Sequence, residues 1–182
     1  VLPGSLTLTI VNHGLPDGVM ADAERAMTEF FAKPTPEKHK VKRLPDNSRG
    51  FADDELTKQL PDRKELFDIG PPATESGGGR TQDGWNQWPN AEFERACSTF
   101  FTEAERISEL LLRAICASLD WEPTALDEFF LCGTHSSFLR LNYYPTGHAD
   151  GRGISRHTDA GALTVLKQGD VAGLEVYSGS KE

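Results

Sequence analysis

Apolar positions along the chain repeat with two different periods. From Asp17 to Phe31, the residues Val19, Ala23, Ala26, Met27, Phe30 and Phe31 share one broad face. This predicts a helix opened by Pro16 and Asp17 and stopped by Pro34. A longer repeat runs from about Ala91 to Leu119, where Phe93, Cys97, Phe100, Ala104, Ile107, Leu111 and Ala114 recur at three- and four-residue steps. Glu92, Glu94, Glu103, Glu105 and Arg106 occupy its other faces, so a long helix laid on a sheet is expected. Beyond Trp121 the period shortens to two. Over Ser136 to Tyr144, alternation sets Phe138, Arg140, Asn142 and Tyr144 on one strand face and Leu139, Leu141 and Tyr143 on the other. Further strands are predicted over Leu6 to Val11, ending at Asn12-His13-Gly14, over Ala162 to Lys167, and over Leu174 to Tyr177 after a turn near Gly169-Asp170.

The remaining segments are punctuated rather than periodic. Leu44 to Asn90 is rich in Pro, Gly and Asp and reads as irregular; Ser76 to Gly79 is a flexible loop with no strand before it of the kind a phosphate-binding loop needs. The charged run Glu37 to Arg43 reads as solvated surface. Helices first and short antiparallel strands later predict an α+β chain.

Composition narrows the classes. The 182 residues, with 37% hydrophobic and 26% charged, suit a globular domain with its own core. A net charge of −9 argues against nucleic acid or an anionic membrane as partner. No apolar run reaches the roughly 18 residues of a membrane span. Cys97, Cys116 and Cys132 are spaced unlike any thiolate zinc site; free thiols are expected, in a reducing, cytoplasmic setting.

The chemistry concentrates in two His-x-Asp pairs, His148-Ala149-Asp150 and His157-Thr158-Asp159. On extended backbone, residues two apart point to the same side, so both side chains reach one metal ion. Two imidazoles and one carboxylate on one face of the ion leave positions open for a co-substrate and O₂, which suits oxygen activation by iron(II). Spacing does not choose between the pairs, but context does. The first lies among Gly147, Gly151 and Gly153, where a loop is expected. The second runs into Gly-Ala-Leu-Thr-Val-Leu, an expected strand that would hold it rigidly.

Several segments then speak together. Arg-Leu-Asn-Tyr-Tyr-Pro (140–145), His-Thr-Asp-Ala-Gly-Ala-Leu-Thr-Val-Leu (157–166) and Gly-Leu-Glu-Val (173–176) follow one another in the second half. Val-Asn-His-Gly (11–14), Phe-Phe-Ala (30–32) with Glu37-Lys38, Lys-Glu-Leu-Phe-Asp-Ile-Gly (64–70) and Asn-Gln-Trp-Pro (86–89) precede them. In this order they resemble the isopenicillin-N-synthase-like branch of the non-haem iron(II), 2-oxoglutarate-dependent oxygenases.

The resemblance implies a partial double-stranded β-helix (jelly roll) with an N-terminal helical region and one long helix packed on the sheet. Residues 1–125 would be the helical, loop-rich N-terminal region, and residues 126–182 the first jelly-roll strands, with the C-terminal half absent. It implies His157 and Asp159 as iron ligands and Asn142 and Tyr144 as contacts to 2-oxoglutarate, with Fe(II), 2-oxoglutarate and O₂ as cofactors and ascorbate as a supporting reductant. Arg140 shares the Asn142 face, where a salt bridge is an equal reading. His13 is expected to be structural, and Trp85 and Trp88 to line a substrate entrance or cap the core. The family's second histidine and its Arg-x-Ser are expected beyond Glu182, which would leave this chain inactive alone. The parent would hydroxylate or desaturate a small organic substrate. Two alternatives stand beside it: a same-fold oxidase that does not use 2-oxoglutarate, and a non-catalytic jelly-roll binding protein.

Overall fold

The computed structural model describes residues 7–71, 84–130, 136–147 and 153–176. The first helix, α1 (Asp17–Phe31), begins where Pro16, extended at φ −64°, ψ 133°, cannot itself continue a helix backwards. It buries Ala23, Ala26, Phe30 and Phe31, with Met27 packed against the same cluster, which is the face the periodicity marks. A short helix α2 (Thr35–Lys38) and a 3₁₀ turn (His39–Val41) follow. The long helix α3 (Ala91–Ser118) starts at Asn90, whose side-chain oxygen accepts from the Phe93 N–H at 2.8 Å and satisfies one of the orphan donors of the first turn. It buries Phe93, Ala96, Cys97, Phe101, Ile107 and Cys116. The buried stripe therefore drifts away from the predicted one: Ala114 is exposed and Phe100 only half-buried, because 3.6 residues per turn carries a strict 3.5-residue repeat off one face. A single turn, α4 (Asp127–Phe130), follows.

Strands supply the other layer. β1 (Gly50–Ala52), β4 (Glu65–Ile69) and β5 (Leu139–Tyr143) form an antiparallel sheet in the order β1-β4-β5. β2 (Leu56–Thr57) and β3 (Leu60–Pro61) form a separate two-stranded ribbon. Phe51 pairs with Phe67, and Phe67 with Leu141, so one row of side chains points at α1 and α3. There Phe30 meets Phe67 edge-on at 5.0 Å between ring centroids and Phe51 at 5.9 Å, while Phe67 lies 4.9 Å from Phe93. Each ring buried to this extent contributes about 1.5–3 kcal/mol of transfer free energy. The long helix does lie on the sheet, as expected, sharing that place with α1.

Four expectations need correction. Leu44 to Asn90 is not irregular throughout, because it contains β1 to β4. β4 is buried almost end to end, so it shows no alternation to read. Lys38 is not solvated: its ammonium donates to both Glu65 carboxylate oxygens, at 2.8 and 2.6 Å, and to the Phe31 carbonyl at 3.2 Å. Residues 7–11 carry no strand, and Leu8 and Val11 are exposed. The described residues 162–176 likewise carry no strand, and Leu163, Val165, Leu166, Val171, Leu174 and Val176 are exposed. In both cases no described strand lies alongside to pair with the backbone, and a strand without a partner leaves its N–H and C=O groups to solvent. The α+β class holds; the strands described make one three-stranded sheet and one ribbon, with helices and strands interleaved along the chain. Among the described residues, no helix is long and apolar enough to cross a membrane.

The Asn-Gln-Trp-Pro segment binds the layers through hydrogen bonds. Asn86 exchanges bonds with the Gly70 N–H (2.8 Å) and C=O (2.9 Å), and Gln87 donates to the Lys42 and Arg49 carbonyls at 3.1 and 2.8 Å. Gly84, at φ +94°, lies so close to Asn47 that a Cβ would sit 2.0 Å from its Oδ1. Trp88 packs against the core near Phe93, whereas Trp85 is half-exposed with its backbone held by the Asn47 side chain.

Candidate metal centre

The sheet face opposite the phenylalanines sets Ala52 and Leu66 beside Asp68, Arg140 and Asn142, and the alternation along β5 decides its polar part. Arg140 pairs with Asp68 and Asn142 with Leu66 in the β4–β5 register. Arg140 makes a bidentate fork to Asp68 (Nε–Oδ1 and Nη2–Oδ2, both 2.8 Å) and reaches Glu55 at 3.1 and 3.2 Å. Arg43 bonds to Asp68 and to Glu55 (2.8 Å), and Lys64 lies 3.3 Å from Glu55. The salt-bridge reading of Arg140 is thus the one observed. Burial pushes the Glu55 carboxyl up, but Arg43, Arg140 and Lys64 outweigh it and hold the group below its ordinary range. Burial likewise works against the Arg140 charge, and Asp68 and Glu55 more than restore it. These charges border a cleft of about 340 Å³, lined by Arg43, Arg49, Asp68, Ser136, Phe138 and Arg140 among others.

Asn142 projects from the same face, and its buried Oδ1 has no hydrogen-bond partner among the described residues. Tyr144 follows just past β5. Burial and the Asp62 carboxylate raise its phenol pKa, with Arg140 acting against them. The chain returns to this ring at Gly153, whose carbonyl accepts from the Arg63 N–H at 2.8 Å. His148 and Asp150, the rejected pair, lie outside the described residues, as do Cys132 and Ser76 to Gly79. Cys97 and Cys116 are buried free thiols, and burial pushes the Cys97 thiol up to about 12, which makes it inert.

His157 and Asp159 come together. Nε2 of the imidazole lies 3.5 Å from Oδ1 of the carboxylate, and both groups are open to solvent. The other ring nitrogen, Nδ1, sits 2.8 Å from the Ser155 carbonyl oxygen. A carbonyl only accepts, so Nδ1 carries the proton, and in the neutral ring Nε2 presents a lone pair towards Asp159. The carboxylate and the imidazole face each other with room for a shared proton or a cation between them. An ion held there would take Nε2 and Oδ1 as two of its donors. A backbone carbonyl fixing the far nitrogen is also the usual support of a metal-bound imidazole. The pair therefore fits an ion. Among the described residues no third His, Cys, Asp or Glu joins it. His13 stands apart in a structural role: its Nδ1 accepts from the Leu15 N–H at 3.0 Å.

Sequence reasoning found the His-x-Asp spacing but not what supports it. Ser155 acts through its backbone, which no side-chain pattern reveals. Asp68 and Glu55 meet Arg140 across 72 and 85 residues of chain.

Against known proteins, residues 7–91 match the family model described as "non-haem dioxygenase in morphine synthesis N-terminal". Residues 135–182, which include the His157–Asp159 pair, match the model of the 2OG-Fe(II) oxygenase superfamily. The chain belongs to the 2OG-Fe(II) oxygenase superfamily. Its relatives in that superfamily include gibberellin 20 oxidase 2 of Arabidopsis thaliana, 30% identical over 92% of this chain and 46% of the relative. The 2-oxoglutarate-dependent dioxygenase ecdK of Aspergillus rugulosus is 29% identical over 92% of this chain and 57% of its own length. The chain thus spans about half the length of these curated relatives. Among solved structures, a 2OG-Fe(II) oxygenase family protein from Caulobacter crescentus superposes with a TM-score of 0.62 at 21% identity, covering 72% of this chain and 44% of that one. Neurospora crassa T7H in complex with alpha-KG and thymine gives 0.57 at 21% identity, over 74% and 44%. These likenesses concern the fold.

Proposed function

We propose that the protein carrying this chain is an iron(II)- and 2-oxoglutarate-dependent oxygenase that oxidises a small organic molecule. The observation that carries this reading is the convergence of His157 Nε2 and the Asp159 carboxylate to 3.5 Å, with the other ring nitrogen held by the Ser155 carbonyl. When bound there, iron(II) with 2-oxoglutarate and O₂ supplies the oxidising power for a substrate C–H bond, and the co-substrate leaves as succinate and CO₂. The chain's own residues do the holding. His157 and Asp159 ligate the metal; the Asn142 amide and the Tyr144 hydroxyl, from one strand face, bind and orient the co-substrate. The family relationship supports this assignment, since residues 135–182 match the 2OG-Fe(II) oxygenase model and the chain is 29% identical over 92% of its length to a protein named as a 2-oxoglutarate-dependent dioxygenase.

In this reading residues 1–125 form the N-terminal region and residues 126–182 the first strands of a jelly roll. The third ligand and the arginine for the distal carboxylate of 2-oxoglutarate lie on sequence beyond Glu182. Residues 1–182 alone are then inactive, and a protein extended to the relatives' length is active. The test is succinate formation from 2-oxoglutarate with iron(II) and ascorbate. The extended protein is expected to turn over and its His157→Ala variant to lose at least about 100-fold. Turnover by residues 1–182 alone overturns the inactivity of this stretch, whereas no turnover by the extended protein, or turnover indifferent to His157, overturns the oxygenase reading. An oxidase of the same fold would instead consume O₂ without 2-oxoglutarate, and a binding protein would do neither.

A further inference from the structure

The metal pair and the Asn142–Tyr144 strand are separate in sequence, and one close contact ties them. Gly153 lies flat against the Tyr144 ring. A Cβ at this position would sit 2.1 Å from Cδ1, 2.5 Å from Cε1 and 3.3 Å from Cγ of Tyr144. No real side chain tolerates the first two distances. Because the contact extends to Cγ, next to the backbone, a small swing of the ring does not relieve it; the ring must change rotamer or the segment must lift. Lifting is opposed by the Arg63 N–H to Gly153 carbonyl bond of 2.8 Å. Two residues on, the Ser155 carbonyl lies 2.8 Å from His157 Nδ1, which gives a backbone shift at 153 a short route to the imidazole.

We propose that Gly153 is a positioning residue: it clasps the Tyr144 ring and so fixes the His157–Asp159 segment against the strand that carries Asn142 and Tyr144. This rests on the functional reading above and deepens it. Absence of a side chain at 153 is what lets the two halves of the site meet, and Tyr144 then has two tasks, co-substrate contact through its hydroxyl and support of the metal segment through its ring.

A double-substitution cycle on the 182-residue chain tests this, read as Mn(II) affinity by electron paramagnetic resonance and as thermal melting, neither needing turnover. Gly153→Ala is expected to weaken Mn(II) about fivefold or more in the native background and by less than about twofold in a Tyr144→Ala background, where no ring remains to clash. In a Tyr144→Phe background, which keeps the ring and removes the hydroxyl, the full loss is expected. Should Gly153→Ala abolish folding, the Gly153→Ala, Tyr144→Ala double variant is expected to regain the melting transition of Tyr144→Ala. Equal losses in the native and Tyr144→Ala backgrounds, no loss in either, or a double variant as unfolded as Gly153→Ala overturns the proposal. Mn(II) binding unchanged by His157→Ala sinks the metal reading itself, and this inference with it, by a different signature.

Discussion

The two halves of this chain treat their apolar residues in opposite ways. In the layered half, Phe30, Phe51, Phe67 and Phe93 come from two helices and two strands and are 0–2% exposed. In residues 153–176, side chains of the same character stand in solvent, from Leu163 at 36% to Val171 at 86%. By sequence the later stretch is the more strand-like of the two. What differs is the partner: β4 lies between β1 and β5 and under α1 and α3, while the later segment has no described strand beside it. Hydrophobic alternation is thus a request for a sheet rather than a sheet. The candidate ligands sit on the less supported half, held to the other by Gly153 against Tyr144, the Arg63–Gly153 hydrogen bond and a surface ion pair between Lys167 and Glu24.

The difference sets an order of expected effects. Phe67→Ala removes the ring at the centre of the aromatic row and is expected to cost about 3–5 kcal/mol in urea unfolding, enough to abolish a cooperative transition. Asp68→Ala leaves Arg43 and Arg140 facing each other without their shared carboxylate and is expected to cost about 3 kcal/mol by the same measurement, with β5 losing its register to β4. Asn90→Ala removes the cap of α3 and should cost about 1 kcal/mol. Leu166→Ser, in the exposed segment, is expected to change stability by about 0.5 kcal/mol or less. A loss from Leu166→Ser comparable to that from Phe67→Ala would erase the contrast between the halves.

Acid titration sharpens the comparison, since the depressed carboxyls belong to the layered half. Glu55 is held below its unfolded value, so its contribution to stability is complete above an ordinary glutamate pKa of about 4.3. That contribution is lost as pH falls through the lower folded pKa. Unfolding free energy is therefore expected to be level from pH 7 to about 5 and to fall below that, with a shallower fall in Glu55→Gln. An unchanged slope in that variant would assign the acid response to other groups.

Legibility followed the same division. The α3 periodicity and the β5 alternation were readable because each element has one buried and one wetter face. β1 and β4 were not, because a strand buried on both sides has no alternation, and Asp68 in its middle looks like a loop residue until Arg140 is seen opposite. Lys38 misled for the same reason: its charge is answered by Glu65, 27 residues away. At the site, spacing marked His157 and Asp159, and the structure brings them together. Ser155 behind the imidazole and Gly153 beneath Tyr144 leave no mark in the side-chain pattern, since one acts through its carbonyl and the other through the absence of a Cβ.

One ion is proposed to bridge His157 and Asp159, and the chain contains its own control. His39 and Asp53 form another histidine–carboxylate pair, at 2.8 Å, but Lys42 already occupies the same carboxylate at 2.7 Å. Paramagnetic broadening of nuclear resonances by substoichiometric Mn(II) separates the two. Selective loss of the His157 and Asp159 signals, with His39, Asp53 and His13 retained, is the expected result. Broadening centred on His39 and Asp53, or spread evenly over the acidic surface, would contradict it.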